Sequence, residues 1–490
     1  MADVVSSIPA LNRALHAQFQ TGKTRPLAWR KHQLRQAIRM LTENKEKFFD
    51  ALRKDHRQTE LVAESETTGP IQEAEMLLEN LDVWCKPSVR SVPLIQKPGS
   101  GYVVKDPLGV VLIIAPWNYP FSLLLKPMFG ALAAGNCVVI KPSEVAPACS
   151  AVIAELVPQY FDNDCVKVVE GAVPEATALI KERWDYIFYT GNTFVGKIIM
   201  RAAAEHLTPV TLELGGKSPV IIDESVNMTV AARRIVWAKY TNSGQTCVAP
   251  DYVLVVESKY QEFLDHVKKN ITDFYGEDPQ KSPDYSRIIN QRHCERVASL
   301  IEGGRVFCGG HVDVADQYVA PTVLTDVDLS SPLMNDEIFG PLLPVIPVKS
   351  VDEAISFVNQ RPKPLALYIY SENSSNIDRV LSSTSSGGAS VNESLMHVIC
   401  PDLPFGGVGP SGMGSYNGRK TFDTFTHEKS VLHRPTWGDA SIRYPPYTES
   451  KIRWIKRLNG LKFSQTKLIV SAVMVGGAIL AYNYGIPANL

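Results

Sequence analysis

At 490 residues the chain is longer than a single hydrophobic core usually supports, so at least two lobes are expected. With 45% hydrophobic residues, 21% charged residues and a formal net charge of -1, its composition is that of an ordinary globular protein and excludes charge-driven binding of nucleic acid. The eight cysteines are scattered, without a CxxC pair or zinc-like spacing, which predicts a reducing, cytosol-facing compartment and no metal site.

The first 84 residues show the periodicity of amphipathic helices on charged segments. The stretch KPSVRSVPLIQKPGSG, residues 86–101, is rich in Pro, Ser and Gly and predicts an extended arm reaching toward a partner subunit. From Val110 onward, short runs that are apolar throughout alternate with helical stretches. Runs of this kind are typical of parallel strands covered on both faces, so the sequence predicts a doubly wound α/β domain. A second α/β lobe is expected from the LELGGKSP turn to about residue 411.

The C-terminal part has a different composition. Residues 468–487 carry no charge, and about 20 apolar residues span a hydrocarbon core, so we predict a transmembrane helix. Within the basic, amphipathic tail at residues 434–467, six basic residues without an intervening acid lie between Lys451 and Lys467, which is the cytoplasmic flank that the positive-inside rule expects. Together they predict a tail anchor with cytosolic lobes. The alternative is a terminal helix packed in the core or across an oligomer interface, which the small residues in the run also allow.

The segment NSGQTC ends in Cys247 after a helical run, and its turn-forming residues suit an exposed, reactive sulfur. The alternative is a buried packing cysteine, which is how we interpret the other seven. In TLELGG, Glu213 stands among apolar residues beside two glycines, where a raised proton affinity suits a general base. A capping or salt-bridged glutamate is the competing interpretation.

Three further segments follow predicted strands. Asn118 in PWNYP could donate to a developing oxyanion, or could be an ordinary turn asparagine. Lys141 and Glu144 in KPSE could bind ribose hydroxyls or face solvent. The run from Gly191 to Gly196 opens a helix, so its amides and dipole could face a phosphate. The GxGxxG pattern at residues 407–412 has no strand before it, so we reject it as a dinucleotide loop.

Together these segments resemble the aldehyde dehydrogenase superfamily from the N-terminal helices to about His433. PWNYP, KPSE, YTGNTFVGK, TLELGGKSP, NSGQTC, EIFGP and PFGGVGPSGMGSYNG stand in the family's order. The stretch RPKPLALYIY and the segment SYNGRKTFDTFTHEKSVL are most similar to class 3 enzymes, and the basic segment with its apolar tail to the fatty aldehyde dehydrogenase type.

Carried over residue by residue, the resemblance implies Cys247 as nucleophile, Glu213 as general base, and Asn118 with the Cys247 backbone N–H as oxyanion hole. It also implies a set of dinucleotide-binding residues: Trp117, Lys141, Glu144, Gly191, Asn192, Val195, Gly196, Leu214, Glu337 and Phe339. The implied cofactor is NAD, with NADP as the alternative. The implied fold is a Rossmann-like NAD-binding domain, residues 1–85 and 105–213, with a catalytic domain, residues 214–411. Bridging segments would occupy residues 86–104 and 412–433.

The expected activity is therefore oxidation of medium- or long-chain aliphatic aldehydes to acids through a Cys247 thioester. The expected assembly is a homodimer anchored to a membrane, with the endoplasmic reticulum preferred over the peroxisome or mitochondrial outer membrane. A broad or aromatic aldehyde preference, a CoA-acylating relative, a cysteine hydrolase and an inactive membrane scaffold are the alternatives. Retention of Glu213 argues against CoA acylation, and neither His206 nor His266 stands in the context that a hydrolase needs.

Overall fold

The computed structural model describes residues 2–93, 96–437 and 439–460. Contacts divide the chain into two compact units. The first comprises the chain up to Leu81 together with Pro107–Thr426, and the second comprises Asp82–Asp106 together with the chain from His427 onward. The finer division into NAD-binding, catalytic and bridging ranges stays a prediction, because the contacts separate only these two units.

Amphipathic helices open the first unit, as the sequence predicts. They are α1 (Ala2–Gln20), α2 (Leu27–Glu43), α3 (Lys45–His56) and α4 (Glu60–Trp84), of which the last runs on into the second unit. Each has a buried apolar stripe, such as Leu34, Ala37 and Leu41 on α2. Buried polar residues also occur on α4, among them Glu66 and Glu73, which the sequence analysis did not single out.

A six-stranded sheet follows these helices. Its strands and covering helices are β3 (Val110–Ile114), α5 (Ser122–Ala134), β4 (Cys137–Lys141), α6 (Pro147–Tyr160), β5 (Val166–Val168), α7 (Val173–Lys181), β6 (Tyr186–Thr190), α8 (Thr193–Ala204), β7 (Val210–Glu213) and β17 (Gly412–Met413). The strand order is β17-β7-β6-β3-β4-β5, parallel except for the β17–β7 pair. Every residue of β3, β4 and β6 is buried, because helices cover both faces. The predicted doubly wound architecture is confirmed.

A seven-stranded sheet forms the other half of the first unit. Its strands are β8 (Pro219–Ile222), β9 (Tyr252–Val256), β10 (Arg305–Cys308), β13 (Thr322–Thr325), β14 (Leu342–Val348), β15 (Ala366–Tyr370) and β16 (Gly388–Val391). The order is β10-β13-β14-β9-β8-β15-β16, with only the β10–β13 pair antiparallel. Its helices are α9 (Met228–Tyr240), α10 (Tyr260–Tyr275), α11 (Gln291–Ser299), α12 (Pro332–Asn335), α13 (Val351–Asn359) and α14 (Ser374–Ser383), whereas α15 (Arg419–Thr424) packs against α5. A short β11 (Val312–Asp313) and β12 (Tyr318–Val319) pair beside it.

The second unit contains a three-stranded sheet of β1 (Ser88–Arg90), β2 (Ser100–Pro107) and β18 (Thr426–His433). It also contains α16 (Glu449–Asn459), on which Trp454 and Ile452 are exposed. No helix among the described residues is both long and apolar enough to cross a bilayer. The predicted transmembrane segment, residues 468–487, lies outside the described residues.

Candidate active site

Cys247 is delivered by a strained turn. After α9 ends at Tyr240, the 3-10 turn Thr241–Gly244 places Asn242 and Ser243 at φ 51° and 52°, and Gly244 at φ 73°. Successive non-glycine residues in the left-handed region cost energy and persist only when their surroundings hold them. A Cβ on Gly244 would collide with the carbonyl oxygen of Gly340, so only glycine fits there.

Hydrogen bonds to side chains hold this turn. Gln245 is the centre: its amide nitrogen donates to the Arg287 carbonyl at 3.0 Å, and its amide oxygen accepts from the Ile289 N–H at 2.9 Å. The Asn242 amide donates to the Asn118 carbonyl at 3.0 Å, and the Asn118 amide donates to the Gln245 carbonyl at 3.0 Å. The structure therefore brings Asn118, predicted from the PWNYP motif, to the turn that carries Cys247.

The Cys247 side chain is half-buried and keeps part of its surface accessible. Protein atoms nevertheless surround the sulfur. Its burial raises the pKa of the thiol, and the charges of Glu337 and Glu213 raise it further. The backbone N–H groups of Cys247 and Val248 act in the opposite direction. No hydrogen bond joins this thiol to a histidine in the part of the chain that the structure describes. His206 lies at the surface, with its Nε2 3.1 Å from the Lys181 carbonyl oxygen.

The other cysteines are also free thiols. Four of them, at positions 137, 149, 165 and 294, are buried, as a packing role requires. Cys400 is exposed, so the prediction that all seven are packing residues is wrong at that position. The physical reason is that its surrounding loop, a 3-10 turn over Met396–Ile399, buries no side chain.

Glu213 lies at the last position of β7 and is only 2% exposed. Neither carboxyl oxygen has a hydrogen-bond partner among the described residues. Burial raises the pKa of this carboxyl well above its ordinary value. The alternative of a capping or salt-bridged glutamate is therefore excluded, because both roles need a partner on the carboxylate.

On the other side of Cys247, three aromatic rings meet. The Trp117 ring centroid lies 5.3 Å from that of Phe339, edge to face, and 5.3 Å from that of His293. Glu337, two positions before Phe339, is half-buried, and loss of solvent raises the pKa of its carboxyl to about 8, opposed by the Gly216 backbone N–H and Lys217. A Cβ on Gly215 would collide with the Glu337 carboxyl, so the glycine pair provides the space that this carboxyl occupies.

A buried ion pair holds the segment that contains Glu337 and Phe339. Asp251 pairs with Lys217, and the Asp251 carboxylate accepts from the backbone N–H of Ile338 at 2.9 Å. The Lys217 ammonium also donates to the carbonyls of Leu333, at 2.8 Å, and Asp336, at 3.0 Å. The sequence analysis missed this pair, since its partners are separated by 34 positions and Lys217 had no predicted role within the TLELGGKSP motif.

The remaining predicted cofactor residues lie at strand ends of the six-stranded sheet. The buried Lys141 ammonium donates to Glu144 at 3.1 Å. Asn192 caps α8, its side-chain oxygen accepting from the Val195 N–H at 2.9 Å. Gly196 faces Leu214, whose Cδ2 would be 2.7 Å from a Cβ at position 196.

Comparison with known proteins agrees with this geometry. The model of the aldehyde dehydrogenase family matches residues 5–431. The chain belongs to the aldehyde dehydrogenase family. It is 48% identical to "Aldehyde dehydrogenase family 3 member A2" of Mus musculus over 457 residues, which cover 93% of this chain and 94% of the relative. It is 49% identical to "Aldehyde dehydrogenase, dimeric NADP-preferring" of Canis lupus familiaris, over 90% of this chain and 98% of that protein.

A solved structure of AldH from Staphylococcus aureus in a substrate-bound state superposes with a TM-score of 0.90 at 43% identity, covering 92% of this chain and 99% of that one. The enzyme is thus an NAD(P)-dependent aldehyde dehydrogenase of family 3, and the resemblance stated from the motifs is confirmed. The roles of individual site residues stay predictions.

The residues present fit a dinucleotide. Nucleotide sites in doubly wound sheets have polar groups at the strand ends and a helix that begins there. This chain has both, since the capped helix α8 follows β6, and a Cβ at position 196 would fill the space next to Leu214. The edge-to-face contact of Trp117 and Phe339 gives an aromatic wall for a flat ring.

Proposed function

We propose that this aldehyde dehydrogenase oxidises medium- and long-chain aliphatic aldehydes to carboxylic acids with NAD, or NADP as the alternative, through a thiohemiacetal and a thioester on Cys247. The observation that carries the proposal is a buried Glu213 carboxyl that has no hydrogen-bond partner among the described residues and lies within electrostatic reach of a partly accessible Cys247 thiol. A hydrolytic base needs free oxygens, and Glu213 has two.

The thiol of Cys247 first loses its proton to solvent, and the thiolate then attacks the aldehyde carbon, which breaks the carbonyl π bond and places the negative charge on the oxygen. A side-chain amide has two N–H donors, and Asn118 uses one of them on the Gln245 carbonyl. The second donor is then available to the developing oxyanion, together with the Cys247 backbone N–H. Because Gln245 is itself fixed at both ends of its amide, the Asn118 amide is held in place before the substrate arrives.

Bound NAD(P) supplies the acceptor for the hydride that leaves the substrate carbon when the oxyanion collapses. In this proposal Glu337 would bind a ribose hydroxyl, and Trp117 and Phe339, whose rings are in edge-to-face contact, would pack against a ring of the cofactor. Lys141 and Glu144, already paired, offer a donor and an acceptor at the end of β4. We assign the other contacts to the strand and helix ends at Gly191, Asn192, Val195, Gly196 and Leu214.

Hydrolysis of the thioester falls to Glu213. In its apolar surroundings the carboxyl has a raised proton affinity, so it can take a proton from water near neutral pH. The thiolate of Cys247 then leaves as the acid forms. A cysteine hydrolase is the weaker alternative, because such an enzyme needs a histidine beside the thiol.

An aliphatic substrate is supported by apolar side chains that pack against the same hydrophobic core cluster as the nucleophile. Leu395, Val398 and Phe405 are partly buried there, as Cys247 is. Each buried CH₂ of a substrate chain contributes about 0.8 kcal/mol, so longer aldehydes gain affinity from such walls. A broad or aromatic preference is the alternative.

Membrane attachment and dimerisation complete the proposal. The apolar run at residues 468–487 and the exposed Trp454 on the basic helix α16 support a tail anchor that holds the enzyme at a bilayer, most simply that of the endoplasmic reticulum. A dimer is supported by the dog relative, whose name describes that enzyme as dimeric.

Two measurements test these assignments. Steady-state kinetics with linear aldehydes of increasing length, with NAD and with NADP, should give a kcat/KM that rises with chain length; a preference for benzaldehyde would refute the aliphatic assignment.

Full-length enzyme and a variant truncated after about His433 should be compared on short and long aldehydes in vesicles. Truncation should reduce oxidation of the long aldehydes only. Equal losses for both, or release of the full-length enzyme by alkaline carbonate, would contradict the membrane proposal.

A further inference from the structure

The loop at residues 395–405 begins beside the nucleophile. Its first residue, Leu395, has φ 69°, a left-handed conformation that a bulky aliphatic residue rarely adopts. The Leu395 N–H donates to the hydroxyl of the buried Tyr368. That hydroxyl donates in turn to the carbonyl of Val248, at 2.6 Å, and Val248 directly follows Cys247. One tyrosine therefore joins the start of the loop to the residue next to the nucleophile.

A second buried tyrosine holds the end of the loop. The backbones of Phe405 and Tyr416 exchange two hydrogen bonds, each 2.8 Å long. Their rings also meet edge to face, with the centroids 5.9 Å apart. Tyr416 lies within electrostatic reach of both Cys247 and Glu213. Both ends of the loop are thus fixed beside the residues to which the oxidation is assigned.

Apolar side chains occur along the loop, on its inner and its outer side. Three of them pack against the same hydrophobic core cluster as Cys247, namely Leu395, Val398 and Phe405. Two others, Ile399 and Leu403, are 58% and 52% exposed. A surface of this kind suits an aliphatic chain, because removal of CH₂ groups from water is favourable. The loop can select for such a chain only while its backbone is held in place.

Between its two ends the loop is held by the amide of Asn417. The amide nitrogen donates to three carbonyl oxygens of the loop, those of Cys400 at 3.0 Å, Val398 at 3.2 Å and Leu403 at 3.4 Å. An amide has two N–H groups, so at least one of them is shared between two carbonyls. The next residue, Gly418, leaves room for the loop, since a Cβ there would lie 1.9 Å from the Pro401 carbonyl oxygen.

Asn417 is itself held by its neighbours. It is buried and has φ 93°, in the positive range that asparagine enters more readily than most residues. Its backbone N–H donates to the Thr421 hydroxyl oxygen at 2.9 Å, and that hydroxyl donates to the Glu73 carboxylate at 2.7 Å. The amide of Asn417 is therefore directed at the loop before a substrate binds.

We propose that Asn417 is a positioning residue that sets the selectivity for aliphatic aldehydes. Its amide fixes the 395–405 loop, and the apolar side chains of the loop hold the substrate chain while the aldehyde carbon meets Cys247. Asn417 takes no part in the chemical steps, which stay with the residues already assigned to them. The inference rests on the proposed oxidation of aliphatic aldehydes and identifies the residue that maintains its selectivity.

Two substitutions remove the amide donors in different ways. Asn417→Gly keeps the backbone conformation, because glycine adopts positive φ without strain. Asn417→Asp keeps the shape of the side chain, but its carboxylate cannot donate and faces three carbonyl oxygens. Leu207→Gly is the matched control, since Leu207 has φ 55° and is 91% exposed, outside the loop.

Selectivity is measured as the ratio of kcat/KM for a long and a short linear aldehyde. Both Asn417 variants should lower this ratio about tenfold through a higher KM for the long aldehyde, the size expected when one or two neutral hydrogen bonds are lost. The kcat for the short aldehyde and NAD(P) binding by fluorescence titration should stay at wild-type values. Leu207→Gly should leave the ratio unchanged. A loss of kcat that is equal for both aldehydes, or an unchanged ratio in both Asn417 variants, would overturn the inference.

Alkylation of Cys247 separates this inference from the proposed activity. N-alkylmaleimides of increasing chain length add the thiol across their double bond and need no hydride acceptor, and mass spectrometry of the peptide that contains Cys247 gives the rate at this residue. Wild type and Leu207→Gly should react faster with the long-chain reagents, and both Asn417 variants should lose this preference. A preference that persists in both variants would overturn the inference and leave the proposed oxidation intact. Absence of the preference in wild type would contradict the aliphatic substrate itself, and the inference with it.

Discussion

The orphaned carboxyl of Glu213 gives the sharpest test of the mechanism. Glu213→Gln keeps the shape of the side chain but removes the base, so hydride transfer should proceed and the thioester on Cys247 should then accumulate. General base catalysis typically contributes a factor of about 10²–10⁴, and steady-state kcat should fall by that order. The first turnover should survive as a burst of NAD(P)H, close to one equivalent per active site.

The Glu213 carboxyl should also lower the free energy of unfolding of the wild-type enzyme. A buried acceptor without a partner costs about 1–3 kcal/mol, and Glu213 has two such oxygens. Glu213→Leu is therefore expected to increase the free energy of unfolding by about 1–3 kcal/mol while abolishing turnover. The pKa is raised in the folded state, so the folded protein binds the proton more tightly. Wild type should therefore lose stability relative to Glu213→Leu as pH rises from the unfolded pKa of 4.5 toward the higher folded value.

Stopped-flow absorbance at the NAD(P)H band measures the burst, and mass spectrometry of quenched enzyme detects the acyl adduct on Cys247. Denaturant midpoints for wild type, Glu213→Gln and Glu213→Leu at acid and neutral pH measure stability. Loss of the burst with intact hydrolysis of a preformed thioester would show that Glu213 acts before hydride transfer. Unchanged stability in Glu213→Leu would show that the carboxyl finds a partner in solution, contrary to its unpartnered state in the structure.

Three further outcomes follow from the contacts around the nucleophile. Cys247→Ser should abolish oxidation, since a hydroxyl without an adjacent base is a far weaker nucleophile, and should leave NAD binding by fluorescence titration intact; near-normal turnover would refute the mechanism. Asn118→Ala should lower kcat about 10²–10³-fold with a smaller change in dinucleotide affinity, and an effect confined to affinity would remove Asn118 from the oxyanion hole. Lys217→Met leaves the buried Asp251 unpaired and should destabilise the fold by about 3–5 kcal/mol in denaturant titrations, and a neutral effect would show that the ion pair is not required.

Much of the six-stranded sheet could be predicted because its signals are local. The runs VVLII and CVVIK are apolar throughout, and they form β3 and β4 with every residue buried. The motif residues Asn118 and Cys247 were also recognisable, since glycine, proline and asparagine mark the turns that present them.

The residues that were missed act through contacts between distant parts of the chain. Gln245 had no predicted role, yet its amide joins Arg287 and Ile289 to the nucleophile turn. Glu66 stands in an unremarkable helical segment, and only the folded chain shows that its carboxylate accepts from the N–H groups at the start of α5, 55 positions away. A periodic pattern reports which face of a helix is buried, and it does not report what that face meets.

The close approach of Gly244 to the Gly340 carbonyl has a mechanical consequence. Backbone pressed against backbone leaves no flexible side chain between the two segments to absorb a displacement. The turn that presents the sulfur and the segment with Glu337 and Phe339 therefore transmit small movements to each other directly. We therefore expect a displacement of the segment at Gly340 to move Gly244, and with it the turn that carries Cys247.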